Sequence, residues 1–490
     1  MSNVARLSLI AISFAITIFI NTVDAYSYNI GDALLKAYIN NNALLSKKEA
    51  LDATKLEKPK AYTEFMPNVI TATKFSRNIP KVYEMEKKAT KNSRKATLQA
   101  SLDLFTGGST ITKINMSDKK IAGAVADYQD TLDDITYKVI SAYQNIIYSK
   151  EYYNITMHNV KFKENVLKTA TVKFKMGEEV KTEVIKAKAE LAAAVAGKED
   201  GANKLQNAIA NFVYLVGEVP PELIEPINTT SVKLPDTLED LTTYALKNNP
   251  KLIKSKMDAE YAKKAVNLYL AKFSPQIKLT AQASRSNLKK YIQTQQGGGN
   301  VIIGRDPNTG QIQRLPVQPQ TVTLPNPNKD DGNSLVLEVD VPIFQKGLEY
   351  LEVSEARKKA KSASSAFKYT ESEINFNTIQ AWNNYHSTKY QLESLKESTI
   401  AYKEAVKSET EKYEAGATTI TELLRTQNDE REQQIRELKA LNEHKLSIFQ
   451  IKQLMGDISK MNYSNHKEKQ PPKDSIKNKK SEKELIALRK

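Results

Sequence analysis

Four histidines, His158, His386, His444 and His466, are the residues from which a metal site would have to be built, and they do not build one. They have no metal-ligand spacing, and the 490-residue chain has no cysteine to complete a set. They read as solvated helix or tail positions. The missing cysteine also excludes disulfides and thiolate chemistry. Gly297-Gly298-Gly299 is not set between a strand and a helix, so it reads as a loop and not as a phosphate cradle. Tyr143 and Trp382 read as packing residues. There is no nucleotide-binding motif and no intramembrane charge relay. The chain therefore reads as non-enzymatic, with no cofactor, and energy for any transport must come from a partner.

What the chain does carry is alternation. In Leu335–Gly347, L-V-L-E-V-D-V-P-I-F-Q-K-G, the residues Leu335, Leu337, Val339, Val341 and Ile343 share one face of an extended chain, and Glu338 and Asp340 take the other. Pro342 lacks a backbone donor and suits a strand end, and Gly347 closes the turn. Ala96–Gly108 repeats the device: Leu98, Ala100, Leu102 and Leu104 oppose Thr97, Gln99, Ser101 and Asp103. A third strand sets Ile277, Leu279, Ala281 and Ala283 against Lys278, Thr280, Gln282 and Ser284. A weaker one, from Met66 to Arg77, places Val69, Thr71, Thr73 and Phe75 together.

These strands belong to a duplicated unit. Phe105 corresponds to Phe344 and Gly108 to Gly347, at a spacing of 344 − 105 = 239. The same spacing relates Tyr143 to Trp382, Gly177 to Gly416 and Gly217 to Gly456. More than a hundred residues without a net insertion mark one long repeated unit. The order expected in each copy is helix, two strands, long helix, turn, helix. A first helix spans Ile30–Phe65, with Pro59 near its end. A helix from Ser109 to Met176 would be ~100 Å long, and one from the Gly177 turn to Val216 ~60 Å. Two shorter helices stacked beside one long one would form a two-column hairpin. In the second copy the long helix runs to about Tyr413, turns at Gly416 and returns from Thr421 to Met455. The connection Asn287–Asn333 reads as a long loop. The resulting division is 26–217 and 238–458 for the repeats, 218–237 for a proline-rich linker, and 459–490 for a basic, disordered tail.

Composition sets limits on partners. Hydrophobic residues at 40%, charged residues at 26% and only 17 glycines suit long helices. The net charge of +15 owes +5 to Met461–Lys490, with nine Lys/Arg against four Asp/Glu, and does not point to nucleic acid. Residues 1–25 read as a secretory signal: Arg6, the apolar run Leu7–Ile20 and a small-x-small site at Val23-Asp24-Ala25. No later stretch is apolar enough to span a membrane as a helix. An exported chain of this kind either stays soluble or enters a membrane as a barrel. Four strands cannot close a barrel alone, since single-chain barrels start at about eight, and open sheet edges do not survive in lipid. The strands therefore imply an oligomer. Their apolar face would meet lipid, and Gln99, Ser101, Asp103, Lys278, Thr280, Gln282, Glu338 and Asp340 would line a pore.

The repeated order of elements, together with V-P-I-F-Q-K-G at 341–347, K-Y-E-A-G-A-T-T-I-T-E-L-L at 412–424 and Leu454-Met455-Gly456, resembles the TolC family of outer-membrane efflux and secretion ducts. The resemblance covers Ile30–Ile458. The family's two glycines after the strand are kept at Gly107-Gly108, while the second copy has Lys346-Gly347. The fold it implies is mainly α with a small β part. Duplicated long-helix hairpins form a tunnel across the periplasm, and each chain of a homotrimer gives four strands to a 12-stranded barrel in outer-membrane lipid. It also implies a periplasmic adaptor and an inner-membrane pump as partners, serving drug efflux or type I secretion. At the helix tips it implies a gate in which Glu422 occupies a ring-acid position, Tyr413 a latch tyrosine and Glu183 a latch acid. Arg425 and Thr418 depart from the family, standing where a second acid and an arginine are usual. An exported coiled-coil spacer or adhesin is the alternative of another class, opposed by the four strands. A passive porin would have many strands and little helix.

Overall fold

The computed structural model describes residues 28–78, 91–229, 232–288, 293–294, 300–305, 307–316, 321–322, 332–344 and 346–461. The signal segment 1–25, Gly297–Gly299, His466 and the tail from residue 462 lie outside the described residues.

The first copy opens with α1 (Ile30–Asn40), α2 (Asn42–Lys55) and α3 (Glu57–Tyr62), followed by the strands β1 (Asn68–Asn78) and β2 (Lys91–Thr106). The long helix α4 (Ser109–Met176) and the return helix α5 (Lys181–Val216) complete it. The second copy contains α6 (Leu238–Asn248), α7 (Pro250–Leu270), β3 (Gln276–Leu288), the short strands β4 (Gln293–Thr294), β5 (Asn300–Arg305), β6 (Ile312–Pro316) and β7 (Thr321–Val322), then β8 (Gly332–Asp340). It closes with α8 (Leu348–Glu414) and α9 (Ile420–Leu454).

The single helix expected over Ile30–Phe65 is broken at Asn41. The Asn41 backbone is extended, and its Oδ1 accepts from the amides of Ala43 at 3.1 Å and Leu44 at 3.3 Å. Local side-chain bonds of this kind compete with a continuous helix. The same amide donates to Leu215 O. Asn249 repeats both contacts, accepting from Leu252 N at 3.2 Å and donating to Leu454 O at 2.9 Å. Pro59 is tolerated because it is the third residue of α3, where a backbone donor has no intrahelical acceptor. The strand region differs from the expected one in two places. Strand β2 begins at Lys91, five residues before Ala96. Part of the loop Asn287–Asn333 is paired, β4 with β7 and β5 with β6.

Within the described residues the chain divides into two compact units. One is built from the segment ending at Asp52, Ala122–Lys256 and the segment from Ser365. Its largest core surrounds Tyr143, fully buried with Phe212, Ile140, Val139 and Val216. The Tyr143 hydroxyl lies 2.9 Å from Tyr28 O and 2.7 Å from Glu225 O. Tyr28 pairs in parallel with Ile224, and Ile227 is buried, so residues of the 218–237 segment form a strap held on this core. Trp382, at the equivalent repeat position, packs beside Leu241, Ala381 and Ile451 and meets His386 edge-on at 4.6 Å. Packing is the role of both aromatics.

The other unit comprises Ala53–Ile121 and Met257–Ser364. It holds an antiparallel sheet in the order β1-β2-β3-β8. A bulge between Asp103 and Phe105 leaves Leu104 as the extra residue and brings Phe105 opposite Ile277. Phe105 thereby joins the apolar face. Below the sheet Gly107 has φ +65°, and a Cβ there would meet Ala271 O at 2.5 Å. Lys346, its repeat partner, holds the same left-handed backbone at φ 61°. A left-handed non-glycine costs roughly 1–2 kcal/mol.

Candidate gate and pore-lining residues

The turns at Gly177 and Gly416 have one construction. Glu178 N donates to Lys173 O at 2.9 Å, Ala417 N donates to Lys412 O at 2.8 Å, and each glycine amide bonds back three residues. With φ of +80° and +74° at the glycines, these are paired left-handed helix caps. Each new helix then starts from an extended N-cap, Val180 for α5 and Thr419 for α9. The Thr419 hydroxyl accepts from the Glu422 amide. That leaves Glu183 and Glu422 in the first turn, where the helix dipole favours an acid.

Glu183 and Glu422 are repeat equivalents, since 422 − 183 = 239. Each acid pairs with a basic residue at the equivalent position. Arg425 Nη2 donates to Glu422 Oε1 at 3.0 Å, and Lys186 Nζ donates to Glu183 Oε1 at 2.9 Å, both three residues on. The first pair was legible in the sequence; the second follows from the 239-residue spacing once 425 − 186 is taken. The Thr421 hydroxyl also donates to Glu183 Oε2 at 2.9 Å, joining the first turns of α5 and α9. The hydrogen bond from Lys186, followed by that from Thr421, holds the Glu183 carboxyl below its ordinary value against slight burial.

Tyr413 is buried in a small core with Val166, Ala170, Ala187, Ile420, Leu423 and Leu424. Burial, then the charges of Glu179 and Glu183, pushes its hydroxyl up to about 12. Within one chain Tyr413 is not hydrogen-bonded to Glu183. It is gripped from α4 by Lys173, whose Nζ lies 2.6 Å from Tyr413 O and 4.2 Å from the ring centroid. Thr418, at the position where the family resemblance expects an arginine, donates to Glu409 Oε1 at 2.6 Å.

A second group escaped sequence reading. Lys163 is 1% exposed, and its Nζ lies 3.0 Å from both Glu190 Oε2 and Asn428 Oδ1, joining α4, α5 and α9. Burial lowers the Lys163 pKa despite the partner carboxylate. A lysine in a Lys-rich helix carries no sequence mark of burial; only the tertiary arrangement singles it out.

In the sheet the expected pore-lining residues share one face by register. Asp103 lies opposite Lys278, which lies opposite Glu338, forming a charged row across three strands. Ser101 with Thr280, and Gln99 with Gln282, form the next rows, while Asp340 faces Gln276. The other face carries Leu102, Leu279 and Leu337 in one row and Ala100, Ala281 and Leu335 in another. Among the described residues nothing covers the β8 part of this face: Leu335 is 72% and Leu337 60% exposed. No described helix is long and apolar enough to cross a membrane.

Among the described residues no group of three or more His, Asp or Glu could hold a metal ion. The gate and strand residues lie in different units. Their common setting is supplied by comparison with known proteins. The chain is 19% identical over 405 residues to the outer membrane efflux protein BepC of Brucella suis biovar 1 (strain 1330), covering 83% of this chain and 80% of that one. Its fold matches CusC, with a TM-score of 0.73 at 13% identity over 88% of this chain and 92% of that one. It also matches the Campylobacter jejuni CmeC outer membrane channel, with a TM-score of 0.70 at 14% identity over 88% and 86%. The model of the outer membrane efflux protein family matches residues 34–218 and 241–457, one segment in each copy. On that match across both halves, the chain belongs to the outer membrane efflux protein family: it is an efflux channel of the outer membrane with a periplasmic helical part, and not an enzyme.

Proposed function

We propose that the chain assembles as a homotrimer and serves as the passive exit duct of a tripartite efflux or type I secretion system, joined to an inner-membrane pump by a periplasmic adaptor. The observation that carries this reading is the four-stranded sheet, in which, among the described residues, the outer strands β1 and β8 each pair on one side only and the apolar residues of β8 are exposed. Strands β1 and β8 run antiparallel to one another, because three antiparallel steps separate them, so β8 of one chain can continue into β1 of the next. Three chains would supply 3 × 4 = 12 strands, within the range of closed membrane barrels. On this reading residues 1–25 are removed on export, 26–217 and 238–458 are the two repeats, 218–237 straps them, and 459–490 is a basic tail.

The same reading makes the tips a gate. Glu422 from each protomer converges there, while Tyr413 and Glu183 hold the coils closed and Thr418 ties the Gly416 turn through Glu409. Because Arg425 and Lys186 sit on the two first-turn acids, the gate is charge-compensated and only weakly cation-selective. Migration of detergent-extracted protein tests the assembly. Unboiled protein should run as a trimer that collapses to the chain mass on boiling. A coiled-coil spacer or adhesin would give no heat-labile species and no single-channel conductance in a planar bilayer.

A further inference from the structure

We propose that Arg94 and Arg285 form a binding site for the phosphate groups of the outer-leaflet glycolipid, an inference that rests on the barrel reading above. Both arginines are exposed and lie on the apolar face of the sheet, where a charge is unexpected. Arg285 pairs with Ala96, and Arg94 pairs with Asn287, so the two are diagonal neighbours on adjacent strands. Diagonal positions lie roughly 7–8 Å apart, within reach of long side chains converging on one group. The Arg94 guanidinium sits 5.4 Å from the centroid of Phe75, which faces it from β1.

Height along the strand decides what they meet. The end of β2 at Thr106 and the end of β8 at Asp340 lead into the long helices, so that end of the sheet is periplasmic. From Ile277, in the lowest apolar row, Arg285 is 285 − 277 = 8 residues further on. At ~3.4 Å per residue and a tilt of about 40°, this puts it about 20 Å up, and Arg94 about 25 Å up, where an apolar band ~25 Å tall ends. The residues between, in the rows of Leu102, Ala100 and Leu98, are uncharged. The arginines therefore stand at the outer headgroup level, beside an aromatic residue, as an interfacial anchor does.

Charge points to a phosphate. Strands β1 and β3 contain no acid, and the acids of β2 and β8, Asp103, Glu338 and Asp340, lie at the opposite end on the opposite face. Among the described residues no carboxylate lies on the face of these two guanidinium forks, and such a pair suits a phosphate bidentately. In the outer leaflet the phosphate is that of a phosphorylated glycolipid.

The test uses native mass spectrometry of the assembled full chain with diphosphorylated lipid A, its dephosphorylated form, and phosphatidylglycerol. Diphosphorylated lipid A should bind best. The double variant Arg94→Gln/Arg285→Gln should weaken it roughly 30-fold, given about 1 kcal/mol per interfacial basic residue. Lys74→Gln/Lys95→Gln is the control, because this opposed pair occupies the same level on the polar face. Equal binding of the phosphorylated and dephosphorylated forms by the native protein overturns the site, even where a variant fails to assemble. So does preference for phosphatidylglycerol, or no change in the arginine variant while heat-labile migration persists. Loss of binding in the lysine pair alone would mean that the polar face meets lipid, and the barrel reading itself fails.

Discussion

In the sheet, Leu102, Leu279 and Leu337 stand in a row that is half-buried at Leu102 and Leu279 and exposed at Leu337, whereas at the helix tips Ile420, Leu423 and Leu424 are almost wholly buried against α4 and α5. The charges differ in the same way. The Asp103–Lys278–Glu338 row lies on the polar face of an open four-stranded sheet, while Glu183 and Glu422 carry basic partners three residues on in their own helices. On the barrel reading proposed above, the sheet depends on other molecules for its burial, whereas the apolar residues and first-turn acids of the tips find their partners within the chain. Damage to the apolar strand face should appear as failed assembly, and damage to the tips as altered behaviour of an assembled channel.

The largest effect is expected on the apolar strand face. Ala100→Arg or Leu335→Arg should cost roughly 2–4 kcal/mol per chain and abolish the heat-labile trimer, because the new charge faces lipid near mid-depth, four residues above the lowest apolar row of Ile277 and Val339. Arginine at Ser101 or Asp340 should leave the trimer and change conductance. Equal tolerance at all four sites would break the contrast between the two faces.

Asp133 in α4 extends the comparison to a buried acid that, among the described residues, has no basic partner at hydrogen-bond distance. Burial raises its carboxyl to about 6 from an ordinary 3.8, against hydrogen bonds from Ser459 and Gln129. A raised acid pKa means that the folded chain holds this proton more tightly than the unfolded chain. Its contribution is full below pH 3.8 and is lost as pH rises to about 6, by about 3 kcal/mol. Asp133→Asn should therefore raise the unfolding temperature at pH 7.5 and do little at pH 3.5. Equal shifts at both pH values would show that the carboxylate is not desolvated.

Lys163→Met should cost roughly 1–3 kcal/mol by leaving Asn428 Oδ1 without its donor and Glu190 with only the Asn428 amide and no cation, with the trimer retained. Thermal melts of the assembled protein would check this, and a loss of assembly would show that the tips do not find their partners within the chain.

The smallest effects are those at the gate, read in planar bilayers. Joint loss of Tyr413 and Glu183, or Lys173→Met alone, should raise single-channel conductance with no change in assembly. Arg425→Asp should raise cation selectivity and block by multivalent cations, and Glu422→Gln should lower both. Unchanged selectivity in both would make these ordinary solvated helix positions.

Much of this was legible in the sequence because period and spacing are local properties. Alternation at Leu98–Asp103, Ile277–Ser284 and Leu335–Asp340 set the faces of the sheet. The interval of 239 residues related the tips, and Gly177 and Gly416 marked the turns, since left-handed caps favour glycine. The pairing of Arg425 with Glu422 followed from helix geometry alone. What only the tertiary structure decided was which charges are buried and which residues meet across elements. Lys163 is one lysine among many until three helices enclose it. Lys173 reaches Tyr413 across a sequence separation of 240 residues. Asn41 breaks a helix that its neighbours would continue, because its side chain binds Ala43 and Leu44 on one side and Leu215 on the other. The bulge at Leu104 moves Phe105 to the apolar face through cross-strand register. Such contacts depend on distances between segments remote in the chain, and no local period encodes them.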